Sequence, residues 1–597
     1  MKLRLAPSAL LLLLSCTASE PRTSAGLATP VPPAAAPVVA EHAMVVSAHP
    51  EASRIGVEIL QKGGNAYDAA VAVQFALAVC LPAAGNIGGG GFLLYRAADG
   101  SEGALDFRET APAKASRDMY LDAQGNIIPN MSTRGPKAVG VPGTVAGMVE
   151  VHQKLGRLPW KTVVQPAVDL ARRGVKLTEK EAAGLNANRK IFFETNELPA
   201  GFPFAGDLAE QARGAAPYVR YLDGGRLHDI DWLAGDTLKQ PQLAATLGRI
   251  RDEGRAGFYG GKTADLIVQE MRFGDDFITR KDLDAYQPRW RTPLHGSYRG
   301  YDVLSFPPPS SGGVALLQML QMLEPYNLRQ AGWHSPQSVH WITEAERRVY
   351  ADRATYLGDP DFGRVPVAQL LAPQYNKERM ASTLPYRATP SAQVTAGKSL
   401  PGYESDQTTH YSIVDAQGNA VACTTTLNGG YGSKVVVAGA GFLLNNEMDD
   451  FSAKAGVPNM YGVTGGTANA IAPGKRMLSS MTPTILTRNG KLALVVGTPG
   501  GSTIITSVLQ AILNVVDYNL NPQQAVAAPR LHHQWLPDHI DVEEGALLPV
   551  VQDSLRARGY VLKPRSAWGR IDVIKVGPKG QLQGGADPRG DDTAQGY

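Results

Sequence analysis

The chain is poor in cysteine. It has three in 597 residues. One of them, Cys16, closes an apolar leader, which leaves Cys80 and Cys423. Both lie in apolar runs, where a thiol behaves as a small buried hydrophobe, so no disulfide framework is expected. The chain also lacks an excess of charge of either sign. Its 58 basic and 55 acidic residues leave a net +3. A nucleic-acid binder needs a basic face, and no Lys/Arg block supplies one. At 44% hydrophobic and 19% charged residues, it lacks the composition of a disordered protein. Length alone suggests several domains.

No apolar run is long enough for a stable membrane helix. The N-terminus has a shorter one. Lys2 and Arg4 precede Ala9 to Leu14, and Ser15-Cys16 follow. A basic start, a short apolar core and a small residue at the cut make residues 1–16 a secretory signal. "LLSC" also resembles a lipobox, in which Cys16 is lipidated; the alternative is an ordinary signal peptide with a chance cysteine. Thr17 to Pro37 is rich in Pro, Ala, Ser and Thr, so residues 17–41 are expected to form a flexible tether. The protein is expected to be exported to the periplasm and anchored to the outer membrane if Cys16 carries lipid.

Gly63-Gly64 ends a short amphipathic stretch, and Asn65 with Asp68 makes a capping box for an apolar helix over Ala66 to Leu81. "NIGGGGFLLY", Asn86 to Tyr95, then places its glycines after a helix and before a strand. A dinucleotide site needs the reverse order, so the run implies a tight turn or close backbone approach. Helical patterns follow at Gly143 to Leu155, Lys161 to Arg173, Asp265 to Met271 and Val314 to Leu323. Leu384 to Gln407 is polar and loop-like. After it, "THYSIVDAQGNAVACTTTLN" reads as a hairpin turning at Asp415 to Asn419. "KLALVVGTPGG" reads as a strand ending at Gly500-Gly501, with a helix over Ile504 to Val516. Helices followed by strands and more helices fit a layered mixed fold.

Several of these stretches carry residues suited to acyl transfer. A threonine hydroxyl needs a base to take its proton, and an N-terminal threonine supplies its own α-amine. That amine titrates near ~7.7–8.0. Thr408 qualifies only if Gln407–Thr408 is cleaved; otherwise it simply begins a strand. Gly500 and Gly501, at a strand-to-helix junction, are either a tight turn or a pair of N–H donors for an oxyanion. Arg108 in "LDFRETAP" with Ser479 and Ser480 in "KRMLSSMTPT" could grip a carboxylate. Asn446, Glu447, Asp449 and Asp450 in "LLNNEMDDF" could grip an ammonium. Singly, each is more often a surface or capping group. His532, His533 and His539 in "LHHQWLPDH" match no standard zinc spacing and are read as packing or surface residues.

Taken together, "GNIGGGGF", "LDFRETAP", "PSSGG", "QTTHYSIVDAQGNAVACTTTLN", "LLNNEMDDF", "KRMLSSMTPT", "GTPGGS" and "GGADPRGDDTAQGY" resemble the γ-glutamyltranspeptidase family of bacterial type, from about His42 to Tyr597. The resemblance implies an α+β fold, the αββα sandwich of the N-terminal nucleophile hydrolases. It implies self-cleavage before Thr408 into a large chain (42–407) and a small one (408–597), interleaved in one unit as a heterodimer. Thr408 would then attack the γ-amide of a donor such as glutathione and pass the γ-glutamyl group to water or an amino-acid or peptide amine. Thr426 matches the second family threonine, and Gly500 and Gly501 the oxyanion hole. Arg108, Ser479 and Ser480 match the groups on the donor's α-carboxylate, Asn428, Glu447 and Asp450 those around its α-amine, and Tyr461 the lid tyrosine. No cofactor or metal is expected. A same-fold acylase on other side-chain amides, such as glutaryl cephalosporins, is the alternative. The Glu447–Asp450 pair tells against it, because a glutaryl group has no ammonium.

Overall fold

The alternation after Thr408 becomes two strands, Thr408–Val414 and Ala420–Thr426. Asp415 makes the turn between them, accepting from the backbone N–H groups of Gln417 at 3.0 Å and Asn419 at 2.9 Å. These strands are the third and fourth of a seven-stranded antiparallel sheet in a computed structural model. It describes residues 28–597 apart from 32, 34, 197–221, 224, 225, 228–230, 396–407 and 453–466. The sheet runs in the order Thr593–Gly596, Met44–Ser47, Thr408–Val414, Ala420–Thr426, Gly90–Arg96, Glu102–Asp106, Arg289–Arg291.

A second seven-stranded antiparallel sheet stacks on the first. Its order is Val38–Ala40, Leu582–Ala586, Asp572–Val576, Lys491–Gly497, Thr484–Arg488, Tyr301–Ser305, Leu294–Tyr298. Side chains alternate across each strand. Tyr411 and Ile413 therefore enter the core shared with helices Pro50–Gln61 and Ala66–Cys80. Val414 and Ala422 enter the core between the sheets, which continues into helices Gly312–Leu323 and Thr503–Val516. The result is a helix–sheet–sheet–helix sandwich, as the resemblance implies. Both sheets take strands from either side of the Gln407–Thr408 bond, so the several domains suggested by length are one interleaved body.

The local expectations translate closely. Asn65 Oδ1 accepts from the N–H groups of Tyr67 and Asp68, and Asp68 answers from the Asn65 N–H at 3.0 Å. Every residue of the helix it caps is buried, and among the described residues no helix is long and apolar enough to cross a membrane. Cys80 and Cys423 are buried free thiols. The tether boundary needs correction. Val38–Ala40 forms an edge strand on Leu582–Ala586, and the Thr29 N–H donates to the Trp333 carbonyl at 3.1 Å, so part of the segment 17–41 is bound to the body. Open backbone donors and acceptors at a sheet edge outweigh a Pro/Ala-rich composition there. Cys16, Gln407 and Tyr461 lie outside the described residues.

Candidate active site

Thr408 begins its strand in direct antiparallel register with Thr426. Directly opposed residues have side chains on the same face with Cβ atoms about 5 Å apart. The neighbouring Thr409 points the other way, toward the helices. After Thr426 the chain turns sharply. Asn428 adopts a left-handed conformation, φ 70°, and its N–H reaches back to Thr426 Oγ1 at 2.7 Å. Asn428 Nδ2 donates to the Asn446 carbonyl at 2.9 Å, and Asn446 Oδ1 accepts from the Gly429 N–H at 2.8 Å. The segment bearing Glu447 and Asp450 is thereby fastened to the end of the Thr426 strand.

The glycine run allows this convergence. A Cβ on Gly88 would lie 2.2 Å from the Leu443 carbonyl oxygen, and one on Gly89 would lie 2.0 Å from that of Thr426. Close backbone approach is therefore its role. Asn86 ties the same point, donating to the Thr426 carbonyl at 3.0 Å and accepting from Thr144 Oγ1 at 2.7 Å.

Gly500 and Gly501 leave the strand Lys491–Gly497 and precede the helix Thr503–Val516. Their φ values are 138° and 57°, a geometry that side-chain-bearing residues rarely adopt. A Cβ at Gly500 would also meet Thr503 Oγ1 at 2.6 Å. Among the described residues neither glycine donates its N–H to a backbone carbonyl.

Arg108 follows the strand Glu102–Asp106 and is almost fully buried. Its Nη1 lies 2.7 Å from Glu447 Oε2, its Nη2 contacts Asp450 Oδ2, and Glu109 Oε2 is 3.7 Å from Nη1. Three buried carboxyl groups thus surround this guanidinium. Burial works against the charge of Arg108, but Glu447, Asp450 and Glu109 outweigh it and hold the guanidinium above its usual range. Burial also pushes Glu109 up to about 8 and raises Glu447 and Asp450, with Arg108 opposing each. Repulsion from Glu109 and Asp450 adds to the rise in Glu447.

The serine pair is held from another direction. The N–H of Ser479 donates to the Pro309 carbonyl at 3.0 Å, and the Ser311 N–H donates to the Ser479 carbonyl at 2.6 Å. This strap explains "PSSGG" as well as "SSM". Thr408, Thr426, Asn428, Arg108, Asp450, Ser479, Ser480 and Gly501 line one small cavity with Met481 and Ile504. Glu447 stands behind Arg108, and Gly500 beside Gly501. A cleft of about 860 Å³ elsewhere, lined by Glu543, Arg565 and Arg589 among others, contains none of these groups. Residue chemistry rather than size selects the smaller site.

The histidines of "LHHQWLPDH" have separate partners. His532 meets Thr506 Oγ1 at 2.8 Å, His533 meets Asp538 at 3.4 Å, and His539 meets Asp541 at 3.1 Å. Burial pulls His532 down to about 4 and His533 to about 3. They are packing groups.

Three polar residues around the site were not singled out from sequence: Asn86, Glu109 and Arg353. Asn86 and Glu109 lie inside quoted stretches, "GNIGGGGF" and "LDFRETAP", and could have been noticed there. Arg353 lies on the helix Pro336–Tyr356, where a run of charged residues gives no sign of which face is buried.

The γ-glutamyltranspeptidase family model matches residues 52–597. The glutathione hydrolase proenzyme of Escherichia coli (strain K12) is 46% identical over 583 residues, covering 96% of each chain. The crystal structure of Helicobacter pylori γ-glutamyltranspeptidase superposes with a TM-score of 0.54 at 40% identity, over 62% of this chain and 97% of that one. A cephalosporin acylase from Bacillus halodurans superposes with a TM-score of 0.80 at 27% identity, over 95% and 98% of the two chains. With nearly its whole length matched by the family model and a relative 46% identical over 96% of the chain, the chain belongs to the γ-glutamyltranspeptidase family.

Proposed function

We propose that the protein is a self-processing γ-glutamyltransferase and glutathione hydrolase with Thr408 as its nucleophile. In maturation, Thr408 Oγ attacks the Gln407 carbonyl and the peptide bond gives way to an ester. Water then hydrolyses the ester, leaving the Gln407 carboxylate and a free Thr408 amine. In turnover that amine takes the Thr408 hydroxyl proton as Oγ attacks the donor's γ-carbonyl. The N–H groups of Gly500 and Gly501 receive the developing oxyanion. The amine passes the proton to the leaving amine, and water or an acceptor amine then releases the γ-glutamyl ester. Thr426, opposite Thr408, orients the nucleophile.

The donor's amino-acid head carries both charges. Arg108, Ser479 and Ser480 take its carboxylate; Asn428, Glu447 and Asp450 take its ammonium. The observation that carries this reading is the surplus of buried carboxyl groups, Glu109, Glu447 and Asp450, around Arg108. Burial favours the neutral forms of these groups, and the donor's ammonium, bound beside Glu447 and Asp450, stabilises their ionised forms. A glutaryl amide has no ammonium, so the same surplus disfavours the acylase reading. Kinetics with γ-glutamyl and glutaryl anilides test the choice. The proposal predicts turnover of the first, and preferential turnover of the glutaryl substrate would overturn it. Tyr461 is assigned to a lid over the bound donor.

Export and lipidation of Cys16 complete the proposal. Labelling with a radioactive fatty acid should mark the wild type and not Cys16→Ser. Equal labelling of both would exclude this anchor.

A further inference from the structure

The serine pair is backed by a second buried guanidinium. Arg353, on the helix Pro336–Tyr356, is only 4% exposed. Its Nε donates to Ser311 Oγ at 2.8 Å and its Nη2 to Ser480 Oγ at 3.2 Å. Ser311 in turn donates its hydroxyl to the Ser479 carbonyl at 2.7 Å. One side chain thus holds the Ser480 hydroxyl directly and the Ser479 backbone through one intermediary. Burial pulls Arg353 down to about 10, with Tyr350 and Asp450 opposing the fall, so it stays charged at neutral pH.

The direction of these bonds matters. Because Ser480 Oγ accepts from Arg353, its own proton must turn away from the guanidinium. Ser479 Oγ likewise accepts, from the Met481 N–H at 3.2 Å. Both oxygens are therefore held from their protein side, at the edge of the cavity they line. A hydroxyl whose oxygen accepts from a cation is also a stronger donor, because the bonds polarise one another.

We infer that Arg353 is a positioning residue for the donor's α-carboxylate, fixing the placement of the Ser479–Ser480 pair and adding a second positive charge behind it. Arg108 and Arg353 then act from different elements, one beside the carboxylate and one behind the serines. This inference rests on the donor-site reading above.

The test uses purified, processed enzyme with free L-glutamate as a competitive inhibitor and a γ-glutamyl anilide as substrate. Arg353→Gln should weaken glutamate inhibition roughly 10- to 100-fold, the loss of a charge-assisted contact, with a much smaller fall in kcat. Arg353→Lys, which keeps the charge but cannot span both hydroxyls, should recover part of that loss. Ser311→Ala breaks one anchor and should shift inhibition in the same direction; it carries the test if Arg353→Gln does not mature. Unchanged glutamate inhibition in the variants that mature, or a fall in kcat with inhibition intact, overturns the inference. Arg108→Ala separates the two readings. If it too leaves inhibition unchanged, the carboxylate site itself is misplaced; if it alone weakens inhibition, only the role of Arg353 fails.

Discussion

Arg108 Nη1 lies 2.7 Å from Glu447 Oε2, so the group assigned to the donor's carboxylate is ion-paired with a group assigned to its ammonium. The two halves of the zwitterion site form one cluster. A donor binding there adds an anion next to Arg108 and a cation next to Glu447 and Asp450. The incoming carboxylate meets a guanidinium held in its charged form, and the incoming ammonium favours ionisation of the raised Glu447 and Asp450, in a site where burial leaves little water to screen either.

Arg108→Ala should lower affinity for γ-glutamyl donors by about two orders of magnitude, read as KM for a γ-glutamyl anilide and as inhibition by L-glutamate. It should also destabilise the fold by about 3–5 kcal/mol, because Glu447 and Asp450 lose their buried partner. An unchanged KM rejects the assignment.

The raised carboxyl of Glu109 gives a pH dependence with a definite sign. The folded protein holds this proton up to about pH 8, whereas the unfolded chain releases it near ~4.3. Between those values the folded state binds more protons, so this group's contribution to stability falls as pH rises. Glu109→Gln cannot ionise. Its melting temperature should exceed that of the wild type at pH 9, and the gap should close toward pH 4.5. A gap that widens on acidification would contradict this.

Gly500→Ala should reduce kcat by about 10²–10³ with little change in donor affinity, since it displaces a proposed oxyanion donor. The added Cβ meets Thr503 Oγ1 at 2.6 Å in a backbone conformation with φ 138°. A variant with wild-type kcat would remove this loop from the mechanism.

Thr426→Val preserves shape and β-branching but deletes the hydroxyl that accepts from the Asn428 N–H. We expect kcat to fall about tenfold or more, with KM nearly constant. A rise in KM with kcat intact would place Thr426 in donor binding instead.

Much of the fold is legible because local signals agree. The Asn65–Asp68 capping box, the Asp415 turn and the Gly63-Gly64 stop each act within a few residues. The Thr408–Thr426 pairing follows from the hairpin they delimit. The Arg108–Glu447–Asp450 cluster joins segments more than 300 residues apart, and only the family resemblance brings them together beforehand. Arg353 shows what is lost. Its helix is mostly buried despite its charges, so hydrophobic periodicity carries no mark of the inward face. The attachment of Val38–Ala40 depends on an open strand edge supplied by Leu582–Ala586 at the other end of the chain.

The central claim is that the strand beginning at Thr408 is also the start of a polypeptide. Intact-mass measurement with N-terminal sequencing, on the wild type and on Thr408→Ala, tests it most directly. The wild type should give two chains, the smaller beginning Thr408-Thr409-His410, and Thr408→Ala one inactive, uncut chain. An active wild-type protein that remains a single chain, or a Thr408→Ala protein cut at the same bond, would contradict it.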